Sequence, residues 1–221
     1  MFLFSLVCHE GAHALAALRM GDPTAYQGGQ VTLNPIPHIQ RSPFGTVVVP
    51  ILFFALSGWM IGWASAPYDP MWARRHPRRE ALMALAGPTA NLLLAVLAGL
   101  AIRIGVVLET FTAPDQVGFS SITEAAAGGW AEGAALVLSI AFTLNLLLFV
   151  FNLIPAPPLD GSSVITLAMP LDLAGRYRDF IASQPGFAFI GLIVAWQVFN
   201  PVFRRVLGWA LWVLYPAVSY S

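Results

Sequence analysis

Two histidines and a glutamate interrupt an apolar run near the start of the chain, in the stretch VCHEGAHALA at residues 7–16. His9 and His13 are four residues apart, so on a helix both imidazoles project from one face, about one turn apart. That spacing lets both rings bind one Zn²⁺ ion, at roughly 2.0–2.1 Å from each nitrogen. Glu10 is offset from His9 by about 100°, so it can act as a general base beside the metal rather than as a ligand. The pattern predicts a hydrolytic zinc site; two hydrogen-bonded buried histidines are the alternative.

A catalytic zinc site needs a third protein ligand, and Asp160 in the stretch NLIPAPPLDG is the best candidate. The alternative is an ordinary turn aspartate before Gly161. Asn152, eight residues earlier, could donate hydrogen bonds to a developing oxyanion or to a substrate backbone. His38 is a further candidate ligand, although a loop histidine explains it better.

Three other residues near these motifs give weaker signals. Asn91, at the end of the stretch GPTAN, could donate hydrogen bonds in the way described for Asn152. Gly87 in the same stretch is explained equally well by close packing of helices through small residues. Cys8 is best interpreted as a small buried hydrophobic residue. Because it is the single cysteine, it excludes an intrachain disulfide.

The composition indicates a membrane protein. Of 221 residues, 57% are hydrophobic and only 10% are charged, whereas a soluble domain has about a quarter charged. The formal net charge is zero, and all eleven basic residues are arginines, most of which cluster at 74–79, 176–178 and 204–205. The absence of a broad basic face argues against nucleic-acid binding.

Six hydrophobic segments are separated by polar stretches. They comprise residues 1–18, 45–64, 81–108, 133–154, 187–203 and 206–218. We therefore predict an all-α polytopic membrane protein, a bundle of about five to six hydrophobic segments, with a small membrane-associated β-hairpin at residues 24–34. The chain 1–221 is expected to be one domain, with a catalytic core at about 1–165 and C-terminal hydrophobic segments at 187–218. The first segment reaches only about 27 Å as a helix, so either it is slightly short or a preceding piece is missing.

Arginine placement predicts the orientation. The loops that hold Arg19, Arg41, Arg74–Arg79 and Arg176–Arg178 should be cytoplasmic, and the acidic loop 109–132 should lie outside. If both Arg41 and Arg74 are cytoplasmic, segment 45–64 cannot cross the membrane once. We expect it to enter and return on the same side, or to pack as a broken helix; a straight crossing is the alternative.

Four stretches together resemble the site-2 protease family of intramembrane zinc metalloproteases, particularly its small members without a PDZ domain. They are HEGAHALAALRMGDPTA, GQVTLNPIPH, RREALMALAGPTANLLLA and FNLIPAPPLDGS, in order through residues 5–163. The resemblance implies one zinc held by His9, His13 and Asp160, with Glu10 as general base and Asn152 near the scissile bond. It also implies a membrane-associated hairpin that receives an unwound substrate helix. The chain departs from the family pattern at Gln40 and Ser65, where an aspartate and a lysine are usual.

These observations predict a zinc endopeptidase that cleaves transmembrane segments of membrane-protein substrates, in regulated intramembrane proteolysis. We expect a multi-pass protein in the plasma membrane of a prokaryote, in contact with the lipid bilayer, with the active site towards the cytoplasm. A non-enzymatic transporter or metal carrier that uses the same histidines and aspartate is the alternative. Such transporters often contain inverted repeats, and the sequence contains no visible repeat. The oligomeric state and the substrate are not readable from the sequence.

Overall fold

The computed structural model describes residues 1–57, 60, 62–184, 186–216 and 218. Within these ranges the chain is mostly helical. The helices are α1 Phe2–Arg19, α2 Thr24–Gln27, α3 Pro35–Arg41, α4 Val49–Ser57, α5 Pro70–Arg75, α6 Pro77–Val107, α7 Trp130–Asn152, α8 Gly161–Val164, α9 Leu171–Ser183 and α10 Phe187–Leu214. A π-helical turn, Phe44–Val48, leads into α4, and a 3₁₀ turn, Ile165–Ala168, follows α8. The predicted all-α membrane protein is therefore confirmed.

Three of these helices, α6, α7 and α10, are long and apolar enough to cross a membrane, judged by length and composition. The apolar face between α6 and α7 forms the main core, where Ala95, Ala98 and Ile102 pack against Phe142 and Leu146. Small residues on α6 let the two helices approach closely, as is usual for helices packed in a membrane. The C-terminal part of α10 closes this core.

The predicted break in the last apolar stretch is wrong. Arg204 and Arg205 do not separate two segments, because both lie within the single helix α10. Both side chains are exposed. A long arginine side chain can extend its charged end to a polar region while its stem covers apolar surface, so two arginines need not end a helix.

The predicted hairpin at residues 24–34 is also wrong in its position. Helix α2 begins there, because the Asp22 carboxylate accepts hydrogen bonds from the amide and hydroxyl of Thr24. Gly29, with φ of 72°, reverses the chain after this helical turn. The small antiparallel sheet that does exist pairs β1, Phe111–Thr112, with β2, Glu124–Ala125, in the acidic loop.

The proline-containing stretch NPIPHIQRSP contains helix α3. Its start is favourable because the Asn34 side chain accepts a hydrogen bond from the amide of Ile36 and because Pro35 occupies the first helical position. Helix α5 begins in the same way, with Asp69 as cap and Pro70 at the first position.

Segment 45–64 returns towards its own start, although Gly58, Trp59 and Ile61 lie outside the described residues. The amide of Trp63 donates to the carbonyl of Gly45 at 3.0 Å, and Nε of Arg41 donates to the carbonyl of Ser65 at 3.2 Å. Helix α3 and the helix that follows it meet at 111°. The two ends of the segment therefore lie side by side, which agrees with the expectation that it enters and returns.

Candidate metal centre

Helix α1 positions the three residues of the HEGAH motif. It runs unbroken through residues 2–19, so His9 and His13 project from the same face, and their rings meet edge to face with centroids 4.6 Å apart. His9, Glu10 and His13 are all buried, with relative exposures of 5%, 5% and 7%. Burying an ionisable group costs free energy because the group loses its hydration, so it occurs only where other groups compensate for that loss.

Asp160 lies against both histidines. It immediately precedes α8, after the proline-rich stretch that follows α7, and its Oδ2 atom is 3.1 Å from Nε2 of His9 and 3.4 Å from Nε2 of His13. The two Nε2 atoms are themselves 3.0 Å apart. Ligand atoms of a tetrahedral zinc ion lie roughly 3.3 Å from one another. The three atoms therefore form one face of a tetrahedron of the size that zinc requires.

The other nitrogen of each imidazole is anchored. Nδ1 of His13 lies 2.7 Å from the carbonyl oxygen of Met83, and Nδ1 of His9 lies 2.6 Å from Oδ1 of Asn91. A carbonyl can only accept a hydrogen bond, so each Nδ1 carries the proton and each Nε2 presents a lone pair. Two lone pairs and a carboxylate facing one another repel unless a cation lies between them. The residues present therefore fit a metal ion.

Gly87 leaves the space that such an ion needs. A Cβ atom built at this position would lie 2.6 Å from Nε2 of His9 and closer still to Nε2 of His13. Helix α6 can therefore approach the two histidines only because residue 87 is glycine. This role was not distinguishable from general helix packing in the sequence.

A cavity of about 830 Å³ opens beside the metal-binding residues. Glu10, His13 and Asp160 line it together with side chains from the segment before α5, from α6 and from α9, including Tyr68 and Arg178. Burial raises the pKa of the Tyr68 hydroxyl, and the Glu80 carboxylate adds to this effect. The cavity is large enough for a stretch of extended peptide.

An ion pair holds α9 against this cavity. Nη2 of Arg178 lies 2.6 Å from Oε2 of Glu80, which is only 3% exposed, and the Ser163 hydroxyl donates to the other carboxylate oxygen at 2.8 Å. Nη1 of Arg178 donates to the carbonyl of Ala73. Neither Glu80 nor Arg178 was singled out in the sequence, because ion-pair partners 98 positions apart give no local signal (178 − 80).

The remaining candidate residues lie outside the metal cluster. The amide nitrogen of Asn152 donates to the carbonyl of Leu148, one turn back on its own helix, so the role assigned to Asn152 stays a prediction. His38 is buried in α3 with Nε2 3.1 Å from the carbonyl of Thr32, and it does not belong to the His9–His13–Asp160 group. Cys8 is a partly buried free thiol.

Comparison with known proteins agrees with this geometry. Residues 1–192 match peptidase family M50. The chain is 34% identical over 207 residues to the "Putative zinc metalloprotease YwhC" of Bacillus subtilis, an alignment that covers 90% of this chain and 83% of that protein. It is 32% identical to the "Putative zinc metalloprotease Rip2" of Mycobacterium tuberculosis and 29% identical to the protein of the same name in Mycolicibacterium smegmatis. These two alignments cover 97% and 94% of this chain, respectively, and 70% of each relative.

No solved structure matches the chain significantly. The family match extends over the HEGAH motif, the GPTAN stretch and the Asp160 loop, which together form the candidate metal centre. The family and the names of the relatives imply a zinc metalloprotease, and the apolar helices place it in a membrane. This chain belongs to peptidase family M50, the site-2 protease family of metalloproteases.

Proposed function

We propose that this protein is a zinc endopeptidase that hydrolyses peptide bonds within or near the transmembrane segments of membrane-protein substrates. The observation that carries the proposal is the group formed by buried His9 and His13 with half-buried Asp160, with Glu10 on the wall of the adjoining cavity. The group lies against α6, a helix with the length and composition of a membrane span. Hydrolysis at that position would reach peptide bonds that a soluble protease cannot.

Each residue of the site then has its own role in the proposed reaction. His9, His13 and Asp160 would hold one zinc ion, and zinc when bound supplies a Lewis acid that polarises a carbonyl oxygen and lowers the pKa of water. Glu10 takes a proton from the attacking water and passes it to the amine that leaves when the C–N bond breaks. The anchors on Nδ1 of each histidine keep both rings in orientation throughout the cycle.

We also propose that the active site faces the cytoplasm of a prokaryotic cell, in its plasma membrane. The arginine-bearing loops meet at one end of the bundle, where Nη1 of Arg79 donates to the carbonyl of Met20 and Nη1 of Arg178 donates to that of Ala73. The cavity opens among the same loops. Arginine-rich loops are enriched on the cytoplasmic side, and the relatives named above are bacterial.

Replacing the general base tests the proposal. Glu10→Gln keeps the size of the side chain but cannot accept a proton, so it should retain zinc and lose cleavage by at least about 100-fold. The protein would be reconstituted with a panel of tagged single-span model proteins, and cleavage and zinc content would be measured in parallel for wild type and variant.

Cleavage by Glu10→Gln at the wild-type rate would overturn the role of Glu10. If wild-type protein held metal weakly and cleaved none of the panel, the transport alternative would replace the protease. One tightly held zinc per wild-type chain, with cleavage that depends on Glu10, supports the proposal.

A further inference from the structure

A chain of buried amides connects the metal centre to helix α7. Nδ1 of His9 lies 2.6 Å from Oδ1 of Asn91, Nδ2 of Asn91 donates to Oδ1 of Asn145 at 2.9 Å, and Nδ2 of Asn145 donates to the carbonyl of Ala141 at 2.8 Å. Asn91 is 0% and Asn145 1% exposed. Asn145 is part of none of the motifs that identify the metal site. Its side chain bonds to Asn91, which is the hydrogen-bond partner of His9.

The Ala141 end of this series of hydrogen bonds determines which group donates at each step. The Ala141 carbonyl can only accept, so Asn145 must turn its NH₂ group towards it and its oxygen towards Asn91. Asn91 must then turn its own NH₂ group to Asn145 and its oxygen to His9. An oxygen at that position requires the proton of His9 on Nδ1, which leaves the Nε2 lone pair for the metal.

Asn91 alone would not fix this direction. An amide has an acceptor at one end and a donor at the other, and rotation by 180° exchanges them. The reversed amide would present NH₂ to Nδ1 of His9 and favour the proton on Nε2, where it blocks metal binding. Apart from Asn145, the Asn91 NH₂ group contacts the carbonyl of Ser5, at the long distance of 3.4 Å.

We propose that Asn145, through the Asn145–Asn91–His9 hydrogen bonds, is a positioning residue that holds His9 in its metal-binding tautomer. The inference rests on the zinc site proposed above. The simpler alternative is that Asn91 and Asn145 only join α6 to α7, as polar side chains often do between helices in a membrane. The two explanations differ in what a carboxylate at position 91 would do.

Zinc affinity of the full chain in detergent, measured by competition with a chromophoric chelator, separates them. Asn145→Leu should weaken zinc binding by about 10- to 100-fold, the range found when an outer partner of a metal-binding histidine is lost. Adding Asn91→Asp should restore affinity to within about threefold of Asn91→Asp alone, because a carboxylate has only acceptors and accepts the Nδ1 proton in either orientation.

Thr143→Val is the matched control. Thr143 is 3% exposed on the same helix, and its hydroxyl has no hydrogen-bond partner among the described residues, so zinc affinity should not change. If helix joining were the whole role, the double variant would bind zinc no better than Asn145→Leu.

Two results would overturn the inference: wild-type zinc affinity in Asn145→Leu, or no recovery on adding Asn91→Asp. If Asn145→Leu does not purify as a folded protein, Asn145→Ser, whose side chain is too short to reach Asn91, is compared with and without Asn91→Asp by the same criteria. Failure of wild-type protein to bind zinc would instead refute the proposed function, so the two failures are distinguishable.

Discussion

Substituting Gly87 by alanine adds one methyl group beside the two imidazole nitrogens that we propose bind the metal. The new Cβ atom would lie 2.6 Å from Nε2 of His9 and closer to Nε2 of His13, whereas non-bonded Cβ contacts under 3.0 Å are essentially never observed. Both rings, or helix α6 itself, would have to move by roughly 0.4 Å or more, although zinc–ligand distances vary by only about 0.2 Å.

The imidazoles have little room to retreat. Hydrogen bonds of 2.6 and 2.7 Å hold their Nδ1 atoms to Asn91 and Met83, both of which belong to α6. A shift of α6 would therefore move the anchors together with the methyl group. We expect Gly87→Ala to weaken zinc binding by on the order of 100-fold or more and to lower cleavage in proportion.

Zinc per chain after dialysis against a chelator, measured by elemental analysis, is the direct assay. Alanine is favoured over glycine in a helix interior by about 1 kcal/mol, so general unfolding of α6 is not the expected cause of a loss. The matched control is Gly133→Ala in α7, where a Cβ meets nothing within 4 Å. Wild-type zinc retention in Gly87→Ala would refute the close approach of α6 to the histidines.

Two further predictions concern the third ligand and the returning segment. Asp160→Ala should lower zinc occupancy and cleavage together; unchanged zinc with reduced cleavage would place Asp160 outside the coordination sphere. Single cysteines at Ser42 and Ser65, in a Cys8→Ala background, should both react with an impermeant thiol reagent from the same side of sealed vesicles. Labelling from opposite sides would show that the segment between them crosses the membrane.

The features that were predictable from sequence are those set by local geometry. The spacing of His9 and His13 fixes their common face once α1 is helical, and the long apolar run around them predicts that helix. The offset of Glu10 follows from the same periodicity. Asp160 was predicted as the third ligand because it is a carboxylate at a break in an apolar run and because its surrounding motif resembles that of the family.

The errors also have local causes. The weak alternation in residues 24–34 suggested a hairpin, but a strand needs a partner, and the hydrogen bonds from Thr24 to Asp22 favour a helical turn instead. Arg204 and Arg205 suggested a boundary because charge is costly in a membrane. Exposed arginines on a long helix avoid that cost, so α10 continues through them.

By itself, then, the sequence determined the helical membrane class and the family, and it predicted the metal-binding pair with its general base. Tertiary structure alone placed Gly87 against the two imidazoles, joined Asn145 to Asn91, and paired Arg178 of α9 with Glu80 beside the cavity. The physical reason is range. Helical periodicity acts over a few residues and can be read from their spacing in the sequence. The three contacts instead join residues on different helices, which only the packing of the bundle brings together.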